Sequence, residues 1–193
     1  MIQVDYSFIR HSLKNGDVIA FGGTSITSTI IRSVTSSNIS HVGIIIKTYP
    51  GFGSPIIQII ESTSLEKSFP GVAIQRLSTR ISSYNGSVWI LPLDDNIRKQ
   101  MNIKKYLSFV LAQEGKPYDY RQALHSAVDS IFPDTKADFS RLFCSELVVA
   151  GLQAGGIPLL SHINPSEQTP VDVVRLPIYG DPMQVKGSKM EFY

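Results

Sequence analysis

Short runs of β-branched and aliphatic residues, separated by turn residues, dominate the first half of the chain. Residues 17–21 break at Gly22-Gly23, residues 41–48 follow, and residues 56–61 come after a loop, 49–55, that carries Pro50, Gly51, Gly53 and Pro55. Residues 72–77 and 87–91 continue the series, with Ser, Asn and Gly turn residues between them. Runs of this length with such boundaries predict strands, and loop 49–55 predicts a hairpin. Between the first two strands, Ile26, Ile30, Ile31 and Val34 recur at helical spacing, so residues 24–37 are expected to form a short helix capped by Thr24 or Ser25. Residues 1–15 are a lead-in of weak helical character, closed by Asn15-Gly16.

After Pro92 the period changes. Ile97, Met101, Tyr106, Val110 and Leu111 predict one helix over residues 97–114, stopped by Gly115. Residues 120–132 predict another, ended by Pro133, and residues 134–140 form a polar linker. Leu147, Val148, Ala150 and Leu152 then predict a buried helix, with Gly155-Gly156 as its left-handed stop. Beyond it the chain is rich in Pro and Ser. An irregular wrap with a short final strand is expected there, with residues 181–193 fraying. Strands first and helices second predict the α+β class, an antiparallel sheet packed against helices.

Composition narrows the function classes. The 193 residues fit a single domain spanning 1–193, and 42% hydrophobic with 18% charged residues describes an ordinary globular chain. A net charge of +2 without a basic stripe interleaved with aromatics argues against a nucleic-acid partner. The single cysteine excludes an internal disulfide framework, so an oxidising compartment is not required. Asp5, Arg10 and Lys14 interrupt the N-terminus where a secretory signal would need an apolar core. The densest apolar run, residues 42–46, is too short to span a bilayer. The expectation is therefore a soluble, cytoplasmic protein with no integral membrane segment; association with a virion and the oligomeric state stay open. Scattered histidines and one cysteine predict no metal site, and no cofactor motif occurs.

The one cysteine carries the candidate chemistry. Cys144 falls in the first turn of the helix that follows it, where unpaired N–H groups and the positive end of the dipole favour a thiolate. The competing reading is a small buried hydrophobe at a helix start. A cysteine nucleophile needs a base within hydrogen-bond reach, and that base needs a third group to orient it. Of the four histidines, His11 and His162 read as surface residues and His125 as a residue inside a helix. His41 opens a hydrophobic strand straight after a polar run, which holds its imidazole rigidly at the end of a sheet. Glu61 closes the next strand. If the two strands pair as a hairpin, His41 and Glu61 become cross-strand neighbours and the carboxylate can accept the imidazole N–H.

Several motifs, in this order, resemble one family. Leu13-Lys14-Asn15-Gly16-Asp17-Val18-Ile19 is similar to an opening L-x-x-G-D-[IV] strand, and Ser40-His41-Val42-Gly43-Ile44 to a histidine strand. Gly115-Lys116-Pro117-Tyr118-Asp119-Tyr120 is similar to a G-x-x-Y-D segment, and Phe143-Cys144-Ser145-Glu146-Leu147-Val148 to a nucleophile motif. Asn164-Pro165-Ser166 and Pro170-Val171-Asp172-Val173 resemble the closing stretch. Together they resemble the circularly permuted branch of the NlpC-like, papain-fold cysteine hydrolases (the YiiX-like group, distantly related to lecithin–retinol acyltransferase) over residues 13–178. The resemblance implies a permuted papain-like fold and a Cys-His-Glu triad. Cys144 would be the nucleophile, His41 the base and Glu61 its orienting group. Tyr118 would help stabilise the oxyanion beside the Cys144 backbone N–H. Non-permuted relatives carry Asp-Cys-Ser-Gly, whereas Phe143 and Glu146 flank the pair here, so their cell-wall peptide specificity does not transfer.

The implied activity is a thiol hydrolase, amidase or peptidase, acting through an acyl-thioester on a peptide, amide or lipid-ester substrate. Two alternatives stand beside it: lipid acyl transfer on the same fold, and a non-catalytic binding or structural module within a larger assembly.

Overall fold

The structure, a computed structural model, describes residues 1–23, 36–51, 53–63, 70–117 and 143–191. Within them the strands are β1 (Ile2–Gln3), β2 (Val18–Gly23), β3 (His41–Thr48), β4 (Ile56–Thr63), β5 (Gly71–Arg76), β6 (Gly86–Leu91) and β7 (Met183–Lys186). They form one mixed sheet in the order β1-β7-β6-β2-β3-β4-β5. Only the short β1–β7 pairing is parallel. The helices are α1 (Tyr6–Ile9), α2 (Leu77–Ser83), α3 (Asp95–Gln100), α4 (Ile103–Leu111), α5 (Cys144–Ala154) and α6 (Pro170–Arg175). The class is α+β. Among the described residues no helix is long and apolar enough to cross a membrane.

The strands are apolar on both sides because both sides of the sheet are covered. Val18, Ala20, Val42, Ile44, Ile46, Ile60 and Trp89 pack into one core with residues of α4, α5 and α6. Ile19, Phe21, Ile45, Ile57, Ile59, Val88 and Ile90 pack into a second with Leu77 and Ile81 of α2. Alternate residues of each strand thus serve opposite cores, as the two-residue period requires. The Gly16-Asp17 turn ahead of β2 is held by Asp17, whose buried carboxylate accepts from the Lys14 N–H at 2.7 Å, the Leu93 N–H at 3.0 Å and Arg98 Nη2 at 2.5 Å. Burial pushes this carboxyl above the usual range, and Arg98 and the two N–H groups oppose that push.

Helix α5 lies across β3 and against α4, and it is buried from Cys144 to Leu152. Gly151 makes the α4 crossing possible, since a Cβ there would stand 2.7 Å from Val110 Cγ1. Gly156, at φ +83°, provides the left-handed turn beyond the helix end.

Several expected elements take a different form. The helix expected over residues 97–114 is two helices. Met101 leaves the helical region to become buried, and Asn102 caps α4 through the Lys105 N–H at 3.0 Å. The turn expected after residue 77 is helix α2, because Leu77 and Ile81 stand one turn apart and both reach the core. Residues 170–174 lie in α6, begun by a Thr169–Asp172 capping box with Pro170 at its first position, rather than in an irregular wrap. Fraying from residue 181 is also corrected. β7 sits between β1 and β6, and the following strap is tied down by Trp89 Nε1 to the Ser188 carbonyl at 2.9 Å and Asn38 Nδ2 to the Lys189 carbonyl at 2.6 Å. Residues 24–35 of the expected early helix, and residues 120–132 and 134–140, lie outside the described residues.

Replacing Gly151 with valine forces branched carbon into the α4–α5 contact. The expected outcome is a loss of about 1–3 kcal/mol in unfolding free energy, measured from urea midpoints at constant slope.

Candidate active site

His41 is the first residue of β3, and the entry of that strand is fixed from both sides. The Ser40 N–H donates to the Phe21 carbonyl at 2.9 Å, and Ser40 Oγ accepts from the Gly23 N–H at 3.1 Å. Pairing of β3 with β4 runs from Thr48–Ile56 to Ile44–Ile60. One further step sets Gly43 opposite Glu61, so His41 lies diagonal to the carboxylate rather than directly across from it. Gly43 is what lets Glu61 approach: a Cβ there would meet Ile59 Cδ1 at 2.6 Å and Glu61 Cβ at 3.2 Å. The imidazole leans over this gap, and Nε2 bonds Glu61 Oε2 at 2.6 Å.

The Glu61 side chain is fully buried, and its second oxygen is also occupied. Arg80 from α2 grips the carboxylate as a fork, with Nε to Oε1 at 2.6 Å and Nη2 to Oε2 at 3.0 Å. Gln75 Nε2 on β5 donates to Oε1 at 2.9 Å. The guanidinium itself stands 4.7 Å from the Phe21 ring centroid and 4.9 Å from that of Tyr84. Phe21 is the register partner of His41, and their ring centroids are 5.5 Å apart. Two aromatic rings and a carboxylate thereby hold one buried cation.

Cys144 enters from the other core. It is the first residue of α5, and its sulfur lies near enough to the His41 imidazole to act on it electrostatically. Nε2 is committed to Glu61, which leaves Nδ1 as the ring nitrogen available to sulfur. Register parity puts His41 on the α2 side of the sheet and Cys144 on the α5 side, so the two meet at the strand's end. The helix start is anchored nearby. Glu146 Oε1 accepts from Ser166 Oγ at 2.7 Å, Glu146 Oε2 accepts from the Phe143 N–H, and Ser145 Oγ donates to the Gln168 carbonyl. Cys144 is 1% exposed, whereas the His41 side chain keeps 13%.

Of the residues singled out from sequence, the structure brings Cys144, His41 and Glu61 together. Tyr118 lies outside the described residues, as does His125; His11 and His162 are exposed. Arg80 and Gln75 were not anticipated. The available signal was Leu77 and Ile81 at helical spacing, with Arg80 beside them, in a stretch whose serines suggested a turn. The trio does not fit a resident metal ion, because both Glu61 oxygens are taken and a guanidinium already lies within 2.6 Å of the carboxylate. Among the described residues no other group of three or more His, Cys, Asp and Glu side chains could hold one.

The fold has a solved counterpart. The structure is similar to that of the metalloprotein YiiX from Escherichia coli O157:H7, with a TM-score of 0.59 and 18% identity over 91% of this chain and 97% of that one. At that identity the likeness is one of fold. No protein-family model matches the chain, and no curated protein does.

Burial alone would lower the basicity of His41, but the sulfur of Cys144 and the carboxylate of Glu61 outweigh it and raise the pKa from 6.5 to about 9. Burial alone would raise Glu61; the His41 hydrogen bond and the charges of His41 and Arg80 outweigh it and bring the carboxyl from 4.5 to about 2. The two shifts have opposite consequences for stability. Glu61 contributes stability that is present above pH 4.5 and lost as pH falls toward 2. His41 contributes stability that is present below pH 6.5 and lost as pH rises toward 9. The stability gap between wild type and Glu61→Gln should therefore narrow from pH 4.5 downward, and that between wild type and His41→Ala from pH 6.5 upward. Denaturant titrations across this range test both. A gap that stays constant with pH in either variant contradicts the corresponding assignment.

Proposed function

We propose that the protein is a cysteine-dependent hydrolase of an amide or ester bond, built on a permuted papain-like version of the YiiX-type fold. The observation that carries this reading is the continuous chain from sulfur to carboxylate. Cys144 at a helix start acts on His41 through its charge, and Nε2 of His41 is held by Glu61 at 2.6 Å. A nucleophile, a base and an orienting acid held in that order are what acyl transfer through a thioester needs.

In the proposed course the Cys144 thiolate attacks the carbonyl carbon while His41 holds the proton at Nδ1. The tetrahedral oxyanion is met by N–H groups at the start of α5. Collapse breaks the carbon–nitrogen or carbon–oxygen bond, and His41 passes its proton to the leaving group. Water then attacks the thioester, giving a proton back to His41 and releasing the acid and the thiolate. Glu61 keeps the imidazole in one orientation and balances the imidazolium. An amine or alcohol acceptor in place of water turns the same course into acyl transfer, the variant implied by the acyltransferase resemblance.

One observation favours the second reading, a binding or structural module: Cys144 is 1% exposed. Labelling by iodoacetamide, followed by intact mass from pH 5 to 9, separates the two because there is one thiol to count. A single adduct on the folded protein at pH 6, slowed at least ~10-fold in His41→Ala, supports the thiolate–imidazolium pair. Absence of labelling until the protein unfolds makes Cys144 a core residue and the module the better reading. With a p-nitrophenyl ester as substrate, His41→Ala should lower turnover by about 10²–10⁴-fold, and Cys144→Ala should abolish it.

A further inference from the structure

The outer side of the trio holds a group that the proposed chemistry does not use directly. Arg80 is buried and comes from α2, on the side of Glu61 away from the proposed nucleophile's helix. Its fork nevertheless closes on the carboxylate that holds His41, and one oxygen is shared. Glu61 Oε2 accepts His41 Nε2 at 2.6 Å and Arg80 Nη2 at 3.0 Å. Oε1 accepts Arg80 Nε at 2.6 Å and Gln75 Nε2 at 2.9 Å.

We propose that Arg80 is a positioning residue that tempers His41: it draws Glu61's charge to itself and fixes the carboxylate plane, so that the imidazole is oriented by an anion that is already partly neutralised. The inference deepens the hydrolase reading and rests on it for its catalytic meaning. Its physical claim, however, concerns only His41, Glu61 and Arg80.

A carboxylate with a lone imidazolium as its partner stabilises that imidazolium strongly in a low-dielectric setting. A base held that tightly gives its proton to a leaving group reluctantly. A second cation on the same carboxylate divides the negative charge between two partners. Arg suits this place better than Lys, because its planar fork fixes both oxygens and its face rests on Phe21 and Tyr84. Among the described residues the titratable groups acting on His41 are Cys144 from α5 and Glu61 from β4, and those acting on Glu61 are His41 from β3 and Arg80 from α2. Arg80 is thus the second cation on the carboxylate that holds His41.

The test is the titration of His41, followed through its imidazole carbon signal by NMR, in wild type, Arg80→Met, Arg80→Lys and Gln75→Leu. Removal of the cation in Arg80→Met should move the His41 midpoint up by about one pH unit. Arg80→Lys, which keeps the charge and loses the fork, should restore most of the wild-type midpoint. Gln75→Leu, which removes a neutral donor from the same carboxylate, should shift it far less than Arg80→Met. Should Arg80→Met not fold, Arg80→Gln, which keeps a donor to the carboxylate and loses the charge, takes its place: an upward shift of similar size supports the charge argument and an unchanged midpoint overturns it. An unchanged or lowered midpoint in folded Arg80→Met, or a Gln75→Leu shift as large as the arginine's, overturns it. Iodoacetamide labelling of Cys144 in the same samples keeps the two proposals apart. A thiol that never labels defeats the hydrolase reading while leaving the His41 titration to judge Arg80.

Discussion

A carboxylate withdrawn from water near the end of a strand has to be answered by positive charge and hydrogen-bond donors, and Glu61 is such a group. Three elements supply the answer. β3 gives His41, α2 gives Arg80 and β5 gives Gln75, so the carboxylate adds side-chain bonds to three strands already paired in the sheet and ties α2 to them. The arrangement is directional where the surrounding core is not. A hydrophobic contact tolerates sliding, but a fork on two oxygens and an imidazole on one of them leave the imidazole a single orientation. Its second nitrogen is left free of Glu61, and Cys144 at the start of α5 acts on the same ring.

The sheet determines why the site lies at an end. Among the described residues alternate strand positions are taken by the two cores, and His41 and Glu61 stand toward the strand ends. His41 begins its strand, and Glu61 stands in the last turn of the pleat on the next one. Gly43 between them is the concession that makes the approach sterically possible. Asp17 plays an equivalent part away from the site: its three donors lock the turn that leads into β2, the strand that lies directly beside His41.

How legible this was depends on what each residue signals locally. The run from His41 to Thr48 is β-branched and sharply bounded, so the strand and its first residue could be taken from the chain directly. The same holds for the apolar helix behind Cys144. The hairpin brought Glu61 to His41 in outline, but the register placed them on a diagonal, a detail that depends on Gly43. Arg80 was hidden because serines and a threonine surround it, and their turn preference masked Leu77 and Ile81. The break at Met101 and Asn102 was hidden for the opposite reason: the apolar period continues across it, and only the burial of Met101 under Gly16 and Gly155 shows why the helix stops. The final strand could not be placed because its partners, β1 and β6, lie far away in sequence.

The distribution of the trio along the chain has a consequence for how the protein comes into being. His41, Glu61 and Arg80 all lie in the first half, and Cys144 follows about a hundred residues after His41. During synthesis the basic and acidic members leave the ribosome first, and sulfur arrives with a helix that docks against β3 before β7 and α6 have been made. Contacts so distant in sequence form late, after loop closure has been paid for by the rest of the core. The meeting of sulfur and imidazole therefore waits until the second half of the chain folds against the first.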